Sequence, residues 1–338
     1  MDMQLLGVTV LWTFLYGYLI VASIDFGAGF FAYYAKLRGK DHLINKIISR
    51  YLSPVWEVTN VFFIFFVIGL IGFFPDTAYY YGSAFLVPGS VALILIAIRG
   101  SFYAFGNYGS KDNQLFTFLY GVTGLFIPAS LATALTISEG GFIHEVDGKV
   151  SLSLVELFTN FYSWSVVILA IVSVLFISAA FLSYYAWRAK DMAAFEILRK
   201  FALFWSGPTI LASLLVFTSL SQQNPEHFAR ILDSYHWMFV ASLLCFLAAG
   251  GFIYFKKRLG MAFILVMLQF FFAFFGYGAS HLPYILKPYV TIYASFTNTT
   301  MSTALVIAFI AGLVLLIPSL YMLMRLFLFD ADYVQGKK

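Results

Sequence analysis

The stretch SPVWEVTNVFFIFFVI, residues 53–68, decides how this chain is read. Ser53 followed by Pro54 is a helix start. A serine oxygen caps free N–H groups, and a proline at the first helical position lacks only an N–H that would be orphaned anyway. The apolar run behind it continues to Phe74, enough to cross a hydrocarbon layer of about 30 Å. Yet Glu57 sits in its first turn. A carboxylate entering a membrane span is costly, so it faces protein or water and needs partners. Two other polar residues, Asp25 and Arg99, interrupt apolar segments in the same first third of the chain.

Composition agrees with a membrane setting. The 338 residues are 62% hydrophobic and 11% charged, with a mean hydropathy of +0.88, more apolar surface than a water-soluble core can hide. The fold class is therefore an all-α polytopic membrane protein. Nine spans are expected: Leu5–Ala35, Pro54–Phe74, Ala78–Phe105, Leu115–Ile137, Phe161–Trp187, Phe201–Leu220, Trp237–Phe255, Met261–Ser280 and Met301–Phe329. The first apolar stretch is long enough to span and has no basic leader, so it is read as a helix and not as a cleavable signal. Cys245, the single cysteine, permits no internal disulfide.

The basic residues orient these spans. Placing the first loop, KLRGKDHLINKIISR, in the cytoplasm puts 17 of the 20 Lys and Arg on that side and leaves only Lys149, Arg230 and Lys287 outside. Under the positive-inside rule the N-terminus is then outside and the C-terminus cytoplasmic. The basic loop is a topology signal, not a nucleic-acid patch. An acidic outer loop divides the chain into residues 1–138, a first four-helix bundle; 139–159, the loop; 160–280, a second four-helix bundle; and 281–338, an outer loop with a ninth, peripheral helix and cytoplasmic tail.

Asp25 lies eleven residues before Lys36, so at 1.5 Å per residue it is about 16 Å into the first span. Gly27 and Gly29 follow it and let another helix approach the backbone closely, whether for simple packing or for function. Glu57 is favoured by the positive end of its helix dipole, and Asn60 shares its face. Arg99 can snorkel to the inner interface or turn inward. Two acids and an arginine on one half of three spans fit a proton path. His42, His144, His227, His236 and His281 are read as solvated residues of loops and helix ends, so no bis-histidine haem or metal is expected in this chain. Neither a phosphate-cradling glycine loop nor a nucleophile elbow is present.

These motifs resemble a known family. Asp25-Phe-Gly27-Ala-Gly29, Trp56-Glu57-Val-Thr-Asn60-Val61 and Arg99-Gly100 are similar to signatures on the first three helices of subunit II of cytochrome bd-type quinol oxidases. Length, nine spans and orientation agree over the whole chain, whereas the motifs cover only its first third. Glu57 stands where many members have Asp, Phe62 where many have Trp, and Ala104 where an acid often follows the arginine. The resemblance implies a bacterial cytoplasmic-membrane heterodimer with a subunit I that holds two b-type haems and haem d and takes electrons from quinol. A small accessory single-span subunit is a further partner of such complexes. This chain itself would bind no haem and would line a proton path with Asp25, Glu57, Asn60 and Arg99, while Gly27, Gly29, Trp56 and Gly100 serve packing. From residues alone, an ion-coupled secondary transporter and a purely structural scaffold remain the competing classes.

Overall fold

The computed structural model describes residues 2–52, 56–106, 114–146 and 149–325; within them the side chains of 41, 50–52, 56–58, 102–106, 146, 323 and 324 are not described. Ser53 and Pro54, the expected helix start, lie outside the described residues. Among the described residues, seven helical segments are long and apolar enough to cross a membrane. They are α1 (Met3–Leu37), α6 (Gln114–Ser138), α8 (Phe161–Arg188), α9 (Met192–Gln223), the run Pro225–Tyr254, α12 (Leu259–His281) and α13 (Thr299–Met324). The run Pro225–Tyr254 consists of α10 (Pro225–Arg230), a π-helical turn and α11 (His236–Tyr254).

The expected third span is not one rod. It is α4 (Asp76–Ala84) followed by α5 (Leu86–Gly106), bent by 78° between them, and counting the pair as one span brings the total to eight. Pro88 explains the break. A helix running through it would need an N–H that proline lacks and would press its ring on the Ala84 carbonyl. The second expected span is α3 (Trp56–Phe73), whose described apolar part, Thr59–Phe73, falls short of the length of the others.

Two expected loops also carry structure. The basic first loop folds into α2 (Asp41–Leu52), with Ile44, Ile47 and Ile48 buried on one face, the spacing of an amphipathic helix. The acidic outer loop forms an antiparallel hairpin, β1 (Ile143–Val146) with β2 (Lys149–Leu152), and a short α7 (Leu154–Thr159). A second ribbon, β3 (Tyr284–Leu286) with β4 (Val290–Thr291), packs beside it through Ile143, Leu157, Leu286 and Val290. We call this side of the molecule the hairpin end.

Helix packing centres on α1, which touches α3, α6 and α8, while α8 and α9 pair along their length, as do α11 and α12. The lower core, towards α2, is aliphatic and small-residue rich, with Ala28, Ala32, Ala179, Ala180 and Ala202 wholly or almost wholly buried. Nearer the hairpin end the core turns aromatic. Phe14 stacks on Phe65 at 5.1 Å and meets Phe309 edge-on at 5.3 Å, joining α1, α3 and α13.

Close approach of α1 and α6 rests on glycine. A Cβ on Gly124 would lie 2.2 Å from the Phe26 carbonyl oxygen, and one on Gly29 would lie 2.5 Å from that of Tyr120. Since the obstacle is backbone, the helices must separate to admit a methyl. Gly124→Ala is expected to cost about 1–3 kcal/mol, seen as a lower unfolding midpoint of the purified protein in detergent. Gly82→Ala, whose Cβ would meet nothing within 4 Å, should not lower it.

Candidate functional site

Where α1, α5 and α6 cross, Arg99 reaches Asp25. Both residues are 4% exposed. Arg99 Nε donates to Asp25 Oδ2 at 2.8 Å, and one terminal nitrogen donates to the Asp25 carbonyl at 2.6 Å. The other donates to the Tyr120 carbonyl at 2.8 Å and to Thr123 Oγ1 at 3.3 Å. The Tyr120 hydroxyl donates to Asp25 Oδ1 at 3.2 Å, and its ring lies 4.1 Å under the guanidinium. Snorkelling is thus overruled: the arginine is turned inward, and charge, backbone carbonyls and a π face replace water around it.

The glycines make this geometry reachable. Gly29 and Gly124 bring the α1 and α6 backbones close enough for a single guanidinium to serve both. On the other side of α1, a Cβ on Gly27 would lie 2.3 Å from that of Ser178 in α8, whose hydroxyl donates to the Ile24 carbonyl at 2.8 Å. Beside the ion pair is a cavity of about 20 Å³ lined by Asp25, Phe26, Thr59, Asn60, Ile96, Arg99 and Gly100, room for one water among several polar groups. The structure therefore brings Asp25, Asn60, Arg99 and Gly100 together. Trp56 and Glu57 open α3, on which Thr59 and Asn60 line this cavity, but their side chains lie outside the described residues.

A second polar cluster, at the hairpin end, was not anticipated. Glu139, just past α6, His227 of α10 and His281 of α12 are 3%, 0% and 5% exposed. His227 Nδ1 is 2.8 Å and His281 Nδ1 3.4 Å from Glu139 Oε1. Asn224 Nδ2 donates to Glu139 Oε2 at 2.6 Å, and the Tyr277 hydroxyl donates to Oε1. Burial pushes the Glu139 carboxyl up, but the hydrogen bond from His227, the neighbouring histidines and Tyr277 outweigh it and hold it down at about 2.

This corrects the expectation that His227 and His281 are solvated. Their helix-end positions hid the fact that the ends pack on one another, with His227 set among Glu139, Tyr277, Ser280 and His281. Of the other histidines, His144 is exposed and pairs with Glu156 at 2.8 Å, while His42 and His236 are also exposed or half-exposed. The one sequence sign was Asn224-Pro225, a cap and first-turn proline that start a helix and so fix the face of His227.

Fold and site define a multi-pass helical membrane protein built around a buried acid–arginine pair. Residues 3–327 match the family described as cytochrome bd terminal oxidase subunit II, and the chain belongs to it. It is 31% identical to a Bacillus subtilis (strain 168) protein that carries the name cytochrome bd menaquinol oxidase subunit II, over 99% of this chain and 98% of that one. It is also similar to a chain in the solved bd oxidase of Geobacillus thermodenitrificans, with 55% identity, a TM-score of 0.86, and 98% and 100% of the two chains covered. The protein is accordingly a multi-pass component of a respiratory quinol oxidase complex in the cytoplasmic membrane, an oxidoreductase whose complex carries haems and includes another subunit. His227 and His281 do not fit an axial haem couple, because both nitrogens converge on one carboxylate oxygen and not on a planar gap.

Removing one member of a buried pair strands the other. Arg99→Gln alone is expected to cost about 3–5 kcal/mol, and Asp25→Asn with Arg99→Gln less than the two single losses combined. Unfolding midpoints of the four proteins in detergent, arranged as a double-mutant cycle, measure this coupling.

Proposed function

We propose that this chain is the haem-free subunit II of a bd-type quinol:oxygen oxidoreductase and that it conducts protons from the cytoplasm towards the oxygen-reducing haem of subunit I. The observation that carries the reading is the Asp25–Arg99 pair beside a water-sized cavity. The subunit I haems, two b-type and one d, supply electron transfer from quinol to oxygen when bound. Menaquinol is the proposed donor, as in the name of the Bacillus relative. A small accessory subunit completes the proposed assembly.

In this reading Glu57 is the group that takes up and releases the proton, one turn before Thr59 and Asn60. The cavity water passes it on, while Arg99 holds Asp25 in place and tunes the field around it. Nine spans, with N-terminus outside, complete the proposal. The 18 residues of α3 extend about 27 Å, close to the hydrocarbon thickness. The packing of α1, α3, α5 and α6 on one side and α8, α9, α11 and α12 on the other supports two four-helix groups, with α13 against α3. The transporter alternative gives way to family membership. The scaffold alternative draws support from how completely Arg99 is bonded, so the test must separate it.

Glu57→Gln keeps shape and hydrogen bonding but cannot carry a proton. In complex of normal haem content it is expected to slow oxygen consumption tenfold or more, by analogy with the 10²–10⁴-fold contributions of positioned acids and bases, roughly. Glu57→Asp should be milder. Wild-type rates for Glu57→Gln at every pH would end the relay role of Glu57, leaving Asp25 or a path wholly within the partner subunit.

A further inference from the structure

We infer that Glu139, His227 and His281 form a binding site for one divalent transition-metal ion of the zinc type, which clamps the ends of α6, α10 and α12 together. Among the described residues they are a compact trio: one donor atom from each, all within 4.8 Å of one another. An ion with bonds of about 2.0–2.2 Å in a tetrahedral array sets its donors roughly 3.3–3.6 Å apart. Of the contacts from the histidines to Glu139 Oε1, the 3.4 Å one falls within that spacing and the 2.8 Å one is shorter, so a shift of the His227 ring by about half an ångström admits the ion.

Proton bookkeeping points the same way. Ser280 Oγ lies 2.9 Å from the carbonyls of Gly276 and Tyr277, so its hydrogen has helical acceptors and its oxygen can accept from His227 Nε2, 2.7 Å away. The Tyr277 carbonyl, 3.2 Å from the same nitrogen, also only accepts. Nε2 therefore carries an N–H, and Nδ1 meets the Glu139 carboxylate either through a second ring proton or as a lone pair across a bound cation. Something positive must stand between them. A proton would serve His227 but leaves His281 unexplained, since neither of its ring nitrogens has a hydrogen-bond partner among the described residues. One metal ion satisfies all three at once.

The surroundings are those of a metal site. His227 has its second nitrogen anchored by Ser280 and Tyr277, and Glu139 its second oxygen by Asn224, the outer hydrogen bonds that orient ligands. The nearby Lys287 ammonium is engaged by Glu226 at 2.7 Å and Asn224 at 3.1 Å. Two imidazoles and one carboxylate, with no thiolate, suit zinc better than magnesium, calcium or cuprous ions. Three protein donors leave one position for water. Loading displaces any proton held on the histidines, and no redox step is involved. The site is separate from the Asp25 pair: Tyr120 and Glu139 stand about 28 Å apart along α6 at 1.5 Å per residue.

The test uses the whole oxidase complex, purified through a tag free of histidine, stripped with chelator and re-equilibrated with zinc ions alone. Wild-type complex is expected to retain one zinc more than His281→Gln, with affinity in the variant lower by about tenfold or more. His281→Cys should keep the zinc and add a sulfur neighbour at about 2.3 Å in the zinc X-ray absorption spectrum. That variant decides the matter even if His281→Gln does not assemble. Equal zinc in wild type and His281→Gln of normal haem content, or zinc in His281→Cys with no sulfur neighbour, overturns the site.

Discussion

A guanidinium in hydrocarbon brings five N–H donors that water cannot satisfy, and much of this molecule is arranged to receive those of Arg99. Helices α1 and α6 together offer the acceptors: the Asp25 carboxylate and carbonyl from one, the Tyr120 carbonyl and Thr123 hydroxyl from the other. To stand within reach of one side chain, the two helices must touch backbone to backbone, and Gly29 and Gly124 are the residues that allow it. The arginine, the aspartate and the glycines are therefore one device spread over three helices. None of them is explicable by itself in an apolar phase.

Much of this was legible in the sequence because the bilayer constrains the chain so strongly. Long apolar runs can only be helices, and an Asp, an Arg and paired glycines inside such runs must find one another or face water. The membrane class and the meeting of Asp25, Asn60 and Arg99 follow from that. What was not legible depended on tertiary cover. His227 and His281 sit at helix ends, where sequence alone suggests solvent, and the acid they share, Glu139, arrives from the far end of another helix. In the first loop the charges dominate the pattern and mask the isoleucine face that makes it a helix. Likewise the apolar run around Pro88 masks the missing N–H that breaks the third span.

The two polar clusters differ in kind. Around Asp25 the charges are opposite, the bonding is dense, and a water-sized space remains. Around Glu139 two basic rings share one acid, with nitrogens of His281 left over. An excess of acceptor lone pairs in one place and a balanced pair in another are different chemical problems, and they call for different occupants.

Between the Asp25 cavity and the hairpin end lies the aromatic layer of Phe14, Phe62, Phe65, Phe73 and Phe309, closed above by the apolar cluster of Ile137, Phe142, Leu286 and Val290. Its consequence is electrical. A charge crossing such a layer finds neither a hydrogen-bonding partner nor polarisable solvent, so the layer behaves as an insulator set in series with the wet cavity. A membrane enzyme that stores energy as a voltage loses it through any continuous polar thread from face to face. Here phenylalanine stands between the Asp25 side and the hairpin end along α1, α3 and α13, so this part of the chain resists the passage of charge from face to face.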